Sequence, residues 1–514
     1  MSVRERSDAL NVTVQNDVDA ANNEGQPFFQ NKEKSTDKIY KRRWYVLAVF
    51  GLASFLQAAV WNTWATITKS AEVVFGWEDS QFGMFVNWGN AAYIITVFPA
   101  SYFMDTKGLR VSFLICTALI LVGTGVRCIT HEPTYATWLM NLCAVLNGIA
   151  GTVPGAGPAQ VANTWFPPNQ RASATAVIYV CNFLGSAMAF LIGPQLVDSP
   201  KYESKTPVQN YTPTIISLEE NLGVTIKDNF RNTSNSTQEL INFTKMRQDI
   251  MHFMYYEFAV AGLLFLGSLL MPAKPPTPPS VSASTQRVEY RKALKNIVQS
   301  KAVWCIGLVY GIPVYGAWGS VLGVILKPVG IGQTEVGWIG FYSMIAGCVA
   351  GLAVGRFSDM FMKHMKLISM VMLAAAGVSF LWFTLLRVQI IPFSTEQVYI
   401  SIIFGGMFFN GFTPLLYELG AEAAFPVSEG VACGFLTCLS SIIGILYLLV
   451  LQIPNIGTAW MNWTLVGSIG VSLTLLFIFP ERYTRTDIDL NVNKTETGQP
   501  ETTIVVKQNV YKDA

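Results

Sequence analysis

The sequence predicts an all-α integral membrane protein whose twelve transmembrane helices form two pseudo-symmetric six-helix bundles. Three observations carry this. Of 514 residues, 51% are hydrophobic and only 13% charged, with mean hydropathy +0.37, whereas soluble domains carry about 25% charged residues. The apolar residues fall in separate blocks of about the ~20 residues that a bilayer crossing needs. The blocks come six before and six after a Pro-rich basic segment, and features recur in the same order in both halves. This composition argues against a soluble enzyme or a disordered adaptor. With 35 Lys and Arg against 33 Asp and Glu, the net charge of +2 gives no reason to expect nucleic acid as a partner; the bilayer and a small solute are the expected ones.

In chain order, a polar tail (1–43) without an apolar leader core precedes the first half. That half (44–272) has apolar runs at Trp44–Ile67, Phe82–Phe103, Val111–Val126, Thr137–Val153, Ala172–Val197 and Phe253–Met271. A linker (273–302) with Pro275–Pro279 and then Arg287, Arg291, Lys292, Lys295 and Lys301 leads to the second half (303–480). Its runs are Val303–Ile325, Val336–Val354, Leu367–Leu386, Val398–Tyr417, Val431–Leu451 and Trp463–Phe479, followed by a polar tail (481–514). Lys41, Arg42, Arg43, Lys107, Arg110, Arg171, Lys363, Lys366, Arg482 and Arg485 all fall on one side, which the positive-inside bias makes cytosolic, with both termini. The opposite side carries one long polar loop, 198–251, with N-x-[ST] sequons at Asn210, Asn232, Asn235 and Asn242, expected to be glycosylated in a lumenal segment. The eight cysteines lie in or beside apolar runs without a CxxC pair and read as core thiols.

After the second run the chain reads Asp105-Thr-Lys-Gly108-Leu-Arg110, and after the eighth Gly355-Arg-Phe-Ser-Asp359. Both resemble the G-x-x-x-D-[RK]-x-G-[RK]-[RK] loop of the major facilitator superfamily. The first copy has Ser101 at the leading Gly and the second lacks the inner Gly. A second echo follows: Trp165-Phe166-Pro167 before run five and Phe425-Pro426 before run eleven. An acidic side chain at a helix end can pair with the facing bundle in one state and release it in the other. Asp105, Gly108, Arg110, Gly355 and Asp359 are therefore the expected gating set, against the plainer view that the two aspartates are ordinary charged helix ends.

Lys41-Arg-Arg-Trp44, Val60-Trp61-Asn62-Thr63-Trp64, Gly108-Leu-Arg110, Thr164-Trp-Phe166 with Arg171-Ala-Ser-Ala-Thr175-Ala, Pro278-Pro-Ser-Val281 with Ser284-Thr-Gln-Arg287, and Glu418-Leu-Gly-Ala-Glu422-Ala-Ala-Phe-Pro426-Val-Ser-Glu429-Gly430 resemble the solute carrier 49 family, over most of Tyr40 to Arg485. Relatives in that family move choline, ethanolamine or, by some proposals, haem. The resemblance to its lysosomal branch implies a proton-driven secondary transporter exporting pyridoxine (vitamin B6) or a similar small polar solute from lysosomes. It also implies alternating access, in which two bundles rock about a midplane site, and no cofactor. It places Trp61 and Trp318 where the choline relatives have an aromatic cage. The relatives' G-N-Q-L-G is Cys181-Asn182-Phe183-Leu184-Gly185 here, which removes a Gln suited to choline's hydroxyl.

The residues themselves point the same way. Polar groups inside spans tend to face the bundle interior, and here they are mostly amides: Asn62, Asn87, Asn90, Asn147, Asn182 and Asn410. With Trp61, Trp64, Phe183 and Trp318 they suit a neutral or weakly basic heteroaromatic solute, although asparagines also bond helix to helix and tryptophans also anchor at interfaces. The basic residues Arg127, Lys327 and Arg387 fall at the lumenal ends of spans, so no cation is expected at the midplane. His131, His252 and His364 lie at loops or span ends, unsuited as haem ligands.

Glu257, near the lumenal start of span six, and Glu418 and Glu422, one turn apart at the cytosolic end of span ten, are the candidates for proton coupling. They could equally cap or pair at the bundle interface. In the tail, Glu24 ahead of Phe28-Phe29 resembles an acidic dileucine sorting signal that sorting adaptors read, which favours the lysosomal membrane. The alternatives are a choline or ethanolamine facilitator at the plasma membrane, or a nontransporting receptor or sensor on the same scaffold. An enzyme is least expected, for want of a catalytic triad, metal cluster or phosphate loop in the spans.

Overall fold

The computed structural model describes residues 40–166, 170–200, 218–276, 290–360, 364–424, 427, 429–454 and 456–481. Every described element is helical. The first six membrane helices are α1 (Arg42–Thr66), α2 (Asp79–Lys107), α3 (Leu109–Arg127), α4 (Pro133–Ala156), α5 (Arg171–Leu196) and α6 (Leu218–Leu269). The second six are α7 (Lys301–Gly311, continued by Tyr315–Ser320 and Leu322–Leu326), α8 (Gln333–Met360), α9 (Met365–Arg387), α10 (Thr395–Ala424), α11 (Glu429–Leu449) and α12 (Ala459–Ile478). Eleven of them are long and apolar enough to cross a bilayer. The exception, α2, has 29 residues and is long enough at ~1.5 Å per residue, but its apolar character is diluted by Asn87, Asn90 and Asp79.

The packing repeats between halves. Helix α1 lies on α5 as α7 lies on α11; α2 lies on α4 as α8 on α10; α3 touches α4 and α6 as α9 touches α10 and α12. The seam follows the same rule, with α5 against α8 and α11 against α2. Large apolar side chains such as Ile95, Trp138, Leu263 and Phe477 point outward and are exposed, as lipid-facing groups must be when the backbone satisfies its own hydrogen bonds.

One face carries Tyr40 and Glu481 and is called the terminal side; the other, with Asp198 and Lys327, is the loop side. Both α1 and its counterpart α7 break toward the loop side. Helix α1 stops at Ile67 (φ −121°) and a short helix, Thr68–Phe75, follows. Helix α7 stops at Gly311 before Pro313, which has no N–H to continue the ladder. Between α2 and α3 stands a single residue, Gly108, at φ +91° and ψ 162°, a conformation reserved for glycine.

Two segments differ from the sequence expectation. The helix that becomes span six begins at Leu218, so Asn232, Asn235 and Asn242 lie on a polar helical extension ahead of the apolar stretch Phe243–Leu269. The linker contains an amphipathic helix, Tyr290–Gln299, whose Ala293 and Ile297 are buried. Glu24, Phe28, Phe29 and Asn210 lie outside the described residues.

Candidate functional site

The last turns of α1 build the site. Trp61, Trp64 and Ala65 share a helical face, at spacings of three and four residues, and all three line one cavity with Phe82, Phe85, Arg127 and Asn147. Ser320, from the broken α7, is the second half's contribution. The cavity is about 30 Å³, room for about two waters. It lies toward the loop side of the first bundle. Trp61 fits because its neighbour on α2 is Gly89, where a Cβ would stand 2.7 Å from the indole. Helices α2 and α4 meet closely at Gly89 and Gly148, where a Cβ on Gly148 would collide with the Gly89 carbonyl. Trp64 adds an edge-on aromatic cluster with Phe75 and Trp77.

The residues between the two tryptophans face elsewhere. Asn62 Nδ2 donates to Ser186 Oγ on α5 at 3.1 Å. Thr63 Oγ1 donates to Glu257 Oε1 on α6 at 2.7 Å. The other oxygen of Glu257 pairs with Arg127 of α3. Arg127 is 1% exposed and Glu257 7%, so the pair is withdrawn from water, and Arg127 also lines the cavity. Among the described residues, Arg127 Nε and Asn147 Oδ1 make no hydrogen bond. Asn147 Nδ2 donates to the Gln57 carbonyl at 3.2 Å.

On the loop side the halves are tied by polar contacts. Lys327 Nζ lies 2.6 Å from Glu72 Oε1 and 3.4 Å from Asp79 Oδ1. Lys69 Nζ donates to the Ile331 carbonyl at 2.7 Å, Ser70 Oγ to Gln333 Oε1 at 3.0 Å, and Gln452 Nε2 to the Ser80 carbonyl at 2.9 Å. Burial pushes the Glu72 carboxyl above its ordinary range, opposed by the Lys327 hydrogen bond, and burial pulls the Lys69 ammonium down. On the terminal side the Tyr179 ring stacks on Tyr417, whose hydroxyl is 2.8 Å from that of Tyr310.

The Major Facilitator Superfamily profile matches residues 37–204. A Xenopus tropicalis protein, "Solute carrier family 49 member 4 homolog", is 34% identical over 91% of this chain and 98% of its own. The chain belongs to solute carrier family 49. A mouse relative, "Choline/ethanolamine transporter FLVCR1", is 26% identical over 84% of this chain and 75% of its own. Solved structures share the fold: a D-xylose–proton symporter (TM-score 0.62, 12% identity, 85% of this chain and 98% of that one). A bacterial homologue of the human lysosomal transporter Spinster also matches (TM-score 0.54, 13% identity, 88% and 99%). This family 49 chain therefore has the fold of membrane transporters, with two bundles of six helices.

In this family 49 chain, Trp61 and Trp64 reach the cavity, whereas Trp318 does not. Trp318 is 1% exposed, donates from Nε1 to Asn462 Oδ1 at 2.9 Å and packs against Tyr315, Phe380 and Phe383. Asn182 Nδ2 donates to the Ser54 carbonyl and hydroxyl at 3.2 and 3.3 Å, and Phe183 is half-buried on the same helix. Of the gating set, Asp105 is exposed at the end of α2 and Arg110 donates to the Leu269 carbonyl at 3.2 Å; Gly355 and Asp359 lie on the last turns of α8. Glu418 is exposed and Glu422 buried on α10, at the opposite end of the molecule from Glu257. The three histidines are exposed. Sequence reasoning missed Arg127 as a cavity residue, and Thr63, Ser320 and Phe85 with it. The available signal was an arginine closing an apolar run, one of a kind with Arg387.

Proposed function

We propose that this transporter moves pyridoxine, or a similar small aromatic solute bearing hydroxyls, from an acidic lumen to the cytosol together with protons. The observation that carries the reading is the character of the cavity wall, which would have to open beyond its present room for about two waters to admit a ring: the indoles of Trp61 and Trp64 and the ring of Phe85 beside Asn147 and Arg127. Aromatic faces stack on a flat ring, and a few convergent polar groups fix its orientation. The pyridoxine assignment extends the sequence resemblance to the lysosomal branch of the family. In this reading the terminal side is cytosolic, as the basic residues suggest, and Asp105, Gly108, Arg110, Gly355 and Asp359 serve the bundles' rocking there. Asn62, Asn182, Phe183 and Trp318 support the pathway from the packing around it. Glu257 is the favoured coupling carboxylate, with Glu418 and Glu422 behind it.

Uptake of labelled pyridoxine by cells displaying the protein at their surface, compared at about pH 5.5 and about pH 7.5, tests the reading. Acid-stimulated uptake that Trp61→Ala abolishes supports both cargo and cavity. No uptake at either pH, with surface display verified, defeats the vitamin assignment. A choline or ethanolamine cargo is the second reading, favoured by the mouse relative; excess choline that suppresses uptake of label would favour it. The lysosomal address rests mainly on the resemblance to the family's lysosomal branch, with Glu24, Phe28 and Phe29 as the candidate sorting signal; a shift of Phe28→Ala/Phe29→Ala protein to the cell surface would support that signal. Glycosylation at Asn210, Asn232, Asn235 or Asn242 is read from glycosidase mobility shifts.

A further inference from the structure

The two bundles start differently. Helix α7 opens on Ser300, whose hydroxyl accepts the Val303 N–H at 3.4 Å, a common way to satisfy a helix start. Its counterpart α1 follows Lys41 and opens on Arg42 and Arg43, with no side-chain cap and no acidic residue in its first turn. Three cations thus stand at the pole of a 25-residue helix where the backbone dipole favours anions and disfavours cations. We propose that this end of α1 binds the phosphate of an anionic lipid headgroup in the leaflet at the terminal side, with Arg43 as its main donor. The inference does not depend on which solute is moved.

Burial singles out Arg43. Lys41 and Arg42 are exposed, where water screens them, but Arg43 is 9% exposed. Its guanidinium carbon lies 5.1 Å from the Trp44 ring centroid and 5.3 Å from that of Phe166, so it stays beside the first turn of α1. The two rings attract the cation but are poor hydrogen-bond acceptors. Among the described residues, Arg43 Nε and Nη1 make no hydrogen bond, and neither does Nε1 of Trp165, the buried neighbour of Phe166 in the chain. A buried charged donor without an acceptor is costly, and an anionic phosphate oxygen removes that cost. The N–H groups of Arg43 and Trp44 turn back to the Tyr40 and Lys41 carbonyls at 3.2 Å, so the site rests on the guanidinium and the helix dipole rather than on those backbone donors.

The surroundings favour a lipid as the bearer of the phosphate. Trp44 and Tyr45, on the same turn, are 56% and 37% exposed, and the Tyr45 hydroxyl donates to the Gly267 carbonyl at the end of α6 at 2.6 Å. Amphipathic rings at the end of a membrane helix lie at the depth of the headgroups, which brings phosphate groups within reach of the neighbouring guanidinium. The exposed Lys41 and Arg42 add the attraction that basic residues have for an anionic leaflet. The second half lacks this arrangement, since Lys301, exposed at the start of α7, is the one cation of its first turn. A soluble phosphate offers the same oxygens to Arg43 without the membrane, and the test below separates the two sources.

The test titrates the purified full chain, in an uncharged detergent, with phosphatidic acid, phosphatidylcholine or inorganic phosphate and reads the melting temperature. Phosphatidic acid is expected to raise it in wild type at about 10-fold lower concentration than phosphatidylcholine, with no rise from inorganic phosphate. Arg43→Gln is expected to need about 10-fold more phosphatidic acid for the same rise. Arg43→Lys, which keeps the charge without the guanidinium, is expected to need about 3-fold more. Lys301→Gln, which removes one positive charge from the start of α7, is expected to respond as wild type. Reading the rise within each variant separates binding from any stability lost to the substitution itself. Should Arg43→Gln fail to fold, Arg43→Lys and the comparison of lipids still decide. Equal responses to the two lipids, a response undiminished in the Arg43 variants, or an equal loss in Lys301→Gln overturns the proposal. A rise produced by inorganic phosphate and by neither lipid overturns the lipid source and gives the site to a soluble phosphate.

Discussion

Lys327 Nζ stands 2.6 Å from Glu72 Oε1, and that contact joins the second bundle to the first across the loop side. Lys327 is half-exposed, so the pair is worth no more than ~1 kcal/mol. Lys327→Ala is expected to raise the rate at which a maleimide added from the loop side modifies Cys143, a cavity residue, by about 2- to 5-fold. An unchanged rate would mean that the hydrogen bonds from Lys69 and Ser70 close this side unaided.

The pH dependence of this closure follows from Glu72. Burial raises its carboxyl above the ordinary range, so the closed arrangement holds a proton that a hydrated Glu72 at the same pH has released. Closure is therefore favoured as pH falls toward the ordinary carboxylate range and weakened as pH rises through the raised value. Cys143 modification, measured relative to Glu72→Gln at each pH, is expected to slow on acidification in wild type. Equal pH profiles in the two proteins would remove Glu72 from the linkage.

Gly148 and Gly108 are both glycines for reasons that differ. Gly148→Ala pushes a methyl against the Gly89 carbonyl and forces α2 from α4, at a cost of about 1–3 kcal/mol. Gly108→Ala meets nothing within 4 Å, yet is strained by its positive φ, again by about 1–3 kcal/mol. Both are expected to lower the melting temperature in detergent. Only Gly148→Ala is expected also to disturb the seating of Trp61, seen as a shifted tryptophan emission.

Asn182 ties α5 to α1 through Ser54. Asn182→Ala is expected to lower stability by about 0.6 kcal/mol per lost bond between helices and to leave the KM for the transported solute unchanged. A raised KM with an unchanged melting temperature would instead bring Asn182 into the solute's path.

The twelve crossings were legible because apolar length is a local property, and each run is bounded by Pro, Gly or charge. The polar helical extension from Leu218 was not, since only helix geometry, and no apolar stripe, marks it. In the site, Trp61 and Trp318 are the same residue type in equivalent helices, and sequence alone treats them alike. What separates them is distant: Gly89 opens a seat for Trp61, while Asn462 and Phe380 enclose Trp318. Arg127 and Glu257 lie 130 positions apart, and each alone reads as a charge at a span end. Their meeting depends on α3 packing against α6, which no periodicity encodes.

The Lys327–Glu72 pair and the Tyr179–Tyr417 stack are contacts of different kinds, and a solution variable that acts on one need not act on the other. Ionic strength screens Lys327 and Glu72 within a Debye length of ~8 Å at physiological salt, so raising it on that face loosens the tie. The stacked rings of Tyr179 and Tyr417 present no net charge to screen; their contact answers to temperature and to solvents that compete for aromatic surface. Salt thus acts on the Lys327–Glu72 tie and leaves the Tyr179–Tyr417 stack to temperature.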